Sequence, residues 1–523
     1  MDPLRTISTR TTPQNEPADS RQVPNSAGGH TFQLDDHARL RRFLTLGVDG
    51  GTYYASPRDL ALDNAQVLAR VAAADPAGLV ATIVEVSEGG IAPKQGPALF
   101  ALAYATSVAD AAPLALAALP RVARTGTHLF TFARYVEQFR GWGRGLRRAV
   151  GNWYLDKEAD ALAYQAVKYR QREGWSHRDL LRLSHPATTV PELRATFEWI
   201  VRSSLGDDTP ELIGAFTRAQ QATDVATWTE LIRRHRLTWE MLPDQALSEP
   251  AVWEALLDAG IPQTALLRQL PRLTRLGLLP GLGGRTDEVC AQLTDPQRLR
   301  RARVHPVAVL AAARTYTSGR SHRGSSTWEP TAKVSDALDA AFYAAFGTVT
   351  PAGKRTLIGL DVSGSMDWAG LAGTPLTARE ASAALSLVQL ATEPAVQVMA
   401  FQDQFVPLDI SPKQRLDDVL RRTDDLPFGP TDCAQPMLYA AKQKLEVDTF
   451  IIYTDNETWC GRTHPHQALV RYREQSGIDA RLIVVGMTAN GFSIADPDDA
   501  GMLDVAGFDL SVPNLISEFS RGF

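Results

Sequence analysis

Asp361, Ser363 and Ser365 stand at alternate positions in IGLDVSGSMDW, residues 358–368, directly after an apolar run. Two further oxygen-bearing residues fall at comparable places: Asp455 closes the run FIIYTD, and Thr431 follows PFGP just ahead of a helical segment. Two carboxylates and three hydroxyls make a hard-oxygen donor set suited to a divalent cation, Mg²⁺ first, with Mn²⁺ or Ca²⁺ as alternatives. Because most of these donors are neutral, the ion keeps its electrophilicity and can take a last ligand from water or from an acidic group on a partner. The competing reading is structural, since Asp, Ser and Thr also serve as helix caps and turn formers. The joint placement of Thr431 and Asp455 favours the metal. Enzymatic chemistry at Asp361 is disfavoured: an aspartyl nucleophile wants a second Asp two residues on as acid/base, and that position is Ser363. No Lys stands in a phosphate-holding place and no Ser/His/Asp order is present, so the chain is read as a non-enzyme.

The elements that would position these oxygens begin at Arg355. RTLIGLDV, AVQVMAF, TFIIYTD and ARLIVVG are short runs rich in Val, Ile and Leu that alternate with helical segments at 377–392, 433–446 and 465–476. That alternation predicts a Rossmann-like α/β domain over 355–523 with a largely parallel sheet and its site at the carboxyl ends of the strands. Residues 30–350 read differently. From Phe32 to about Ala345 apolar residues recur at spacings of three and four, convincing strands are missing, and capping signals are frequent. Ser56-Pro57 with Asp59 reads as a helix start, and Gly260 followed by Pro262 as a helix end. A solenoid of stacked helical pairs, without a clean sequence period, is the expectation. Residues 1–29, rich in Pro, Ser, Thr, Asn and Gln and poor in large apolar residues, read as a flexible tail.

The 523-residue length calls for at least two domains. No run approaches the roughly 20 apolar residues of a membrane span; ALFALAYATSVADAAPLALAALP is interrupted by Asp110 and Pro113 and reads as packed helices. Charges and prolines occupy the place of a signal-peptide core. Cys290, Cys433 and Cys460 are too far apart for a disulfide framework or a zinc pattern. A cytoplasmic, monomeric protein without a membrane partner is expected. The net charge of −5 hides an asymmetry: residues 355–523 carry 13 Lys+Arg against 23 Asp+Glu, and residues 1–354 carry 41 against 36.

The densest basic stretch is 121–186, with 13 Lys+Arg, 6 Asp+Glu and interleaved aromatics. A helix is predicted from about Asp156 to Gly174, and a second from Ser176, capped by a box with Asp179 and stapled by Trp175 and Leu180. On that reading Lys168 and Arg172 share one helix face and His185 returns to it from the far end of the antiparallel neighbour. Such a strip suits phosphates; a solvated helix face paired through Glu173 and Asp179 is the alternative.

RLRRFLTLGVDGGTYY (39–54), GRGLRRAVGNWYLDKEADALA (143–163), KYRQREGWSHRDLLRLSHP (168–186), ALDAAFYAAFGTVTPAGKRTLIGLDVSGSM (337–366), GPTDCAQPM (429–437) and YTDNETW (453–459) follow one another through the chain. Together they resemble the Ro autoantigen ribonucleoproteins, built from a TROVE domain and a von Willebrand factor A-like domain, and the chain looks like a bacterial member. The resemblance implies a HEAT-like helical ring whose positive hole takes single-stranded 3′ ends of misfolded or precursor RNA, while small noncoding Y RNA binds outside. It implies work in RNA quality control, rRNA maturation or decay beside a 3′-to-5′ exoribonuclease. At matching positions it places Y RNA contacts on Lys168, Arg172 and His185, with Arg170 between them, and the metal-ion-dependent adhesion site on Asp361, Ser363, Ser365, Thr431 and Asp455. Arg268, Arg272 and Arg275, in a loosely matching stretch, are candidates for the hole. The acidic half suits an acidic-residue-bearing protein ligand held through the metal. A metal-dependent protein-interaction or adhesion module without RNA function is the alternative.

Overall fold

The computed structural model describes residues 11–47, 57–321, 325–347, 349–368, 376–412, 414–415, 418–419, 421–422, 426 and 429–522. Ser56, the expected helix cap, lies outside the described residues; the helix Pro57–Ala74 follows it with Asp59 in its first turn.

From Asp36 to Ala345 the chain is a succession of short helices. Their starts follow side-chain chemistry. Asp75, Thr125 and Asp224 each accept a hydrogen bond from a backbone N–H of the first turn, and Pro76, Pro191 and Pro306 open helices where no N–H is needed. Gly260, at φ +88°, ends the segment after the helix Pro250–Asp258, and Pro262 stands just before the next helix, Gln263–Arg275. Apolar stripes decide the packing. Gly96–Ala105 lies on Gly126–Phe139, and Pro76–Gly89 on Ala112–Val122, which lies in turn on Arg144–Leu155. Next-but-one packing is how stacked helical pairs bury a continuous core. Among the described residues no helix is long and apolar enough to cross a membrane.

The helical path closes on itself. His305, at the start of Pro306–Thr317, donates from Nε2 to the carbonyl of Ile91 (3.0 Å) and to that of Phe508 (2.8 Å), while its Nδ1 accepts from Val307 N (3.2 Å). Leu510 N also donates to Ile91 O at 3.2 Å. Early helices, late helices and the C-terminal region thus meet at one imidazole. Burial holds that ring neutral, with its pKa pushed down to about 4.

One stretch departs from the helical expectation. The helix Ala159–Lys168 stops at Lys168, and the chain makes a hairpin of β3 (Gln171–Arg172) and β4 (Trp175–Ser176). Glu173 and Gly174 are consecutive left-handed residues, φ +54° and +82°, which close a two-residue turn. Gly174 is therefore a hairpin residue and not a helix end. Between Val167 and Trp175 only Tyr169 is apolar enough to extend a stripe, so a longer helix would have had little to bury. The box at Ser176 and Asp179 forms as expected, and Trp175 packs against the core that holds Leu180.

The C-terminal half is a six-stranded sheet in the order β11 (Met502–Ala506), β9 (Arg481–Gly486), β8 (Thr449–Thr454), β5 (Thr356–Asp361), β6 (Val396–Phe401), β7 (Phe405–Pro407). All neighbours are parallel except the β6–β7 edge pair. TLIGLD and TFIIYT are buried at every position, which is why they read as unbroken apolar runs instead of alternating ones. Ala378–Thr392, Gln435–Gln443, Pro465–Ser476 and Val512–Arg521 complete the α/β fold. One face of the sheet shares a continuous core with the late helices, and Arg314 reaches Glu380 across the join at 3.0 Å.

Residues 11–29 correct the flexible-tail expectation. β1 (Gln22–Pro24) pairs with β2 (His30–Gln33), which pairs with β10 (Phe492–Ser493) of the C-terminal half. Gln14 is fully buried, and Asn25 donates to Thr458 O at 2.7 Å. The segment is held by polar bonds more than by apolar burial, so a composition poor in large apolar residues gave no sign of it.

Candidate metal centre and nucleic-acid interface

The pairing register builds the oxygen cluster. β5 and β8 are adjacent and parallel with Leu360 opposite Tyr453, so Asp361 and Asp455 leave neighbouring strands together at the carboxyl edge. Ser363 precedes and Ser365 sits within the short helix Gly364–Trp368, and Thr431 lies in the segment leading to Gln435–Gln443. All five side chains are buried. Asp361 Oδ1 accepts from Ser363 N at 2.9 Å, and its Oδ2 accepts from Thr454 Oγ1 at 2.7 Å. The Ser363 and Ser365 hydroxyls lie 3.0 Å apart. Asp455 Oδ1 accepts from Glu457 N at 3.1 Å, the Ser365 hydroxyl also bonds to its carboxylate, and its Oδ2 is buried without a partner.

Two buried carboxylates side by side are electrostatically unfavourable. Burial, then the charge of Asp361, pushes Asp455 up to about 7. Burial raises Asp361 too, against the hydrogen bonds from Ser363 and Thr454. Glu457, two residues on, is pushed up to about 8 by burial and by Asp455. Among the described residues no cluster of three His, Cys, Asp or Glu side chains is placed to hold a metal, so a cation would rest on two carboxylates and neighbouring hydroxyls. An orphaned carboxylate oxygen among hard donors with mutual charge repulsion fits a divalent cation. Thr454, Glu457 and Gln14 of the N-terminal segment complete the surroundings of the site. Only the clustering of polar residues in YTDNETW hinted at the first two.

The basic candidates are dispersed more than the sequence suggested. Lys168 and Arg172 do not share a helix face, because the helix ends between them. The Lys168 side chain is 9% exposed, donates to Tyr164 Oη at 2.9 Å and faces Glu240 at 3.8 Å. Arg172 is 63% exposed on the hairpin, 3.6 Å from the carboxylate of Glu173. Arg170, also exposed, lies over the ring of Phe216 at 5.4 Å. His185 is exposed at the left-handed C-cap of His177–Ser184, about 12 Å along that helix from the hairpin. Arg268, Arg272 and Arg275 share one face of Gln263–Arg275, opposite buried Leu266, Leu270 and Leu273. Arg272 stacks on Trp253 at 5.6 Å with its Nη1 buried and unpartnered, and burial, then Arg275, lowers its pKa.

Comparison with known proteins covers both halves. The TROVE domain model matches residues 23–211 and 201–315, and the Ro60 vWA domain model matches 355–520. The RNA-binding protein RO60 of Deinococcus radiodurans is 43% identical over 527 residues, 99% of each chain. That of Caenorhabditis elegans is 36% identical over 591 residues, 97% of this chain and 91% of the relative. The crystal structure of the Deinococcus radiodurans RO (RSR) protein superposes with a TM-score of 0.71 at 42% identity, covering 93% of this chain and all of that one. With a TROVE half followed by a Ro60-type A domain and full-length similarity to both relatives, the chain belongs to the Ro60 family.

Proposed function

We propose that the protein is an RNA-binding ribonucleoprotein scaffold and not an enzyme. The observation that carries this reading is the exposed hairpin presenting Arg170 and Arg172 on a helical half whose balance is positive, in a chain similar over nearly its full length to two proteins named RNA-binding. Guanidinium groups at such a surface grip phosphates bidentately. A small structured RNA of the Y type lies along the hairpin with His185 at its periphery, read mainly by shape and backbone. Lys168 contributes through the geometry of Tyr164 and Glu240. Arg268, Arg272 and Arg275 face a single-stranded 3′ end of misfolded or precursor RNA; the buried, unpartnered Nη1 of Arg272 suits an anionic group. A 3′-to-5′ exoribonuclease acts on the RNA so held.

The acidic half repels RNA and faces a protein instead. Asp361, Ser363, Ser365, Thr431 and Asp455 would hold a divalent cation, Mg²⁺ by donor type. When bound, it offers an electrophilic point for an acidic side chain of a partner. This chain's own part is to hold the donors: Thr454 and Ser363 N fix Asp361, and the Glu457 N–H fixes Asp455.

Filter binding of a small structured RNA and of single-stranded RNA to the full chain, across a salt series, tests the reading. Binding of both, with affinity falling as salt rises, supports it. Failure to bind either at low salt contradicts it.

A further inference from the structure

Residues 11–33 form a strap that lies against the loops beside the candidate metal centre and then runs into the helix Asp36–Leu46. Its polar bonds reach both donor-bearing loops. Gln14 donates from its amide to Oδ1 of Asp432, the residue after Thr431, at 2.7 Å, and from its backbone N to Gly461 O at 2.9 Å. Asn25 donates to Thr458 O at 2.7 Å and to Asn456 O at 3.4 Å. Ala27 N donates to Glu457 Oε2 at 3.0 Å, and Ser26 bonds to the same carboxylate. Asn456, Glu457 and Thr458 are the three residues that follow Asp455. Among the described residues none of these bonds reaches a donor side chain, so the strap fixes the loops without taking the places of a cation's ligands.

Two local details make the loops depend on it. The Thr458 hydroxyl accepts from Cys433 N at 3.0 Å and gives its single proton to Gln14 Oε1, while the alternative acceptor, Thr431 O, lies 3.4 Å away. Without Gln14 that proton turns to the backbone of a donor residue. Asn456 stands at φ +65°, a conformation that costs free energy unless its neighbours hold it. Asn25 on its carbonyl and Ile494 N on its Oδ1 do so. The seating is also close. A Cβ on Gly29 would lie 1.9 Å from Thr458 O, and one on Gly461 would lie 2.2 Å from the Gln14 amide nitrogen.

We propose that strap and cation are linked: the seated strap holds the loops of Thr431 and Asp455 in the arrangement that binds a divalent cation, and the bound cation holds the strap down. The inference rests on the cation reading above and adds the regulation of that site. Such coupling is reciprocal, so the factor by which the strap tightens the cation equals the factor by which the cation tightens the strap. Glu457 carries part of it, because a cation at Asp455 relieves the repulsion between the two carboxylates and strengthens the bond from Ala27 N. Lifting the strap releases the cation, and with it the electrophilic point offered to an acidic side chain.

The test uses the full chain with Mg²⁺ alone. Equilibrium dialysis gives its dissociation constant, and amide hydrogen exchange read by mass spectrometry compares Mg²⁺ with chelator. Mg²⁺ should slow exchange in residues 14–30 about 10-fold, within the range of such couplings, and leave the distant helix Pro250–Asp258 unchanged. Gly29→Ala, which sets a methyl group against the Thr458 carbonyl, should speed exchange in the strap and raise the Mg²⁺ dissociation constant about 10-fold. Unchanged strap exchange in the wild type, or equal slowing in strap and control helix, overturns the linkage while the cation reading stands. So does a Gly29→Ala chain with faster strap exchange and wild-type affinity. The wild-type comparison decides alone if that variant does not fold. Failure of the wild-type chain to bind Mg²⁺ overturns the cation reading and the linkage together.

Discussion

Gln14 and Asp432, 418 positions apart, are joined by a buried hydrogen bond of 2.7 Å from the glutamine amide to Oδ1. The same amide donates to Thr463 O at 2.8 Å, and its oxygen accepts from the Thr458 hydroxyl. Asp432 follows Thr431, and Thr458 lies three residues beyond Asp455. The N-terminal strap thus ties together the two loops that carry the oxygen donors of the candidate metal site.

Gln14→Ala removes one hydrogen-bond donor from buried Asp432 and one from the buried carbonyl of Thr463. Burial already raises the Asp432 carboxyl against bonds from Ala434 N, Gln435 and Gln14. Loss of one partner should lower unfolding free energy by about 1–3 kcal/mol. Urea denaturation checks this: an unchanged midpoint would show that the strap is not structural.

Divalent cation should stabilise the wild-type fold, because it neutralises carboxylates that repel each other when ionised. At a cation concentration about 100-fold above its dissociation constant the gain is about 2.7 kcal/mol, read as a shift of the urea midpoint between Mg²⁺ and chelator. Asp455→Asn should abolish the response yet leave the chelated protein as stable as wild type or more so, since one of the two facing charges is gone. A variant that still responds to Mg²⁺ would place the cation elsewhere.

His305 should make the helical closure acid-sensitive. The unfolded chain takes up a proton near pH 6.5, whereas the buried ring resists protonation to about 4. The neutral closure is therefore fully stable above pH 6.5 and loses stability as pH falls towards 4, by about 3 kcal/mol for this residue. The facing groups are the carbonyls of Ile91 and Phe508 and the amide of Val307, and Asp509 lies near enough to act weakly in the opposite direction. His305→Gln should flatten the stability profile between pH 6.5 and 4 by that amount. An equally steep profile would assign acid sensitivity to other buried histidines, such as His128 and His177.

Arg170→Ala with Arg172→Ala should weaken binding of a small structured RNA and reduce its salt slope by about one for each phosphate left without its arginine. Lys168→Ala should act chiefly on stability, because the ammonium already serves Tyr164 and Glu240. A larger loss of affinity from Lys168→Ala than from the arginine pair would reverse these roles.

The α/β half was legible because parallel strands buried on both faces leave unbroken Val/Ile/Leu runs, and Asp361 and Asp455 announce themselves at their ends. Helix starts were legible wherever a capping side chain or first-turn proline acts locally, as at Ser176 and Pro306. The hairpin at 171–176 was not, because Gly174 signals left-handed backbone without saying whether it ends a helix or turns a strand. The strap was missed for another reason: Gln14 and Asn25 are held in the interior by hydrogen bonds to residues more than 400 positions away, which no local pattern encodes. Lys168 looked like a surface charge because the carboxylate it faces, Glu240, comes from a distant segment.

The central claim is that the helical half is an RNA platform centred on the hairpin. Crosslinking in the native host, purification and RNA sequencing, comparing wild type with an Arg170/Arg172/His185 triple alanine variant, tests it most directly. The account predicts one dominant small structured RNA in the wild type that is lost in the variant, while 3′ fragments of larger RNAs persist. Absence of enriched RNA from both samples, with the protein folded, would contradict it.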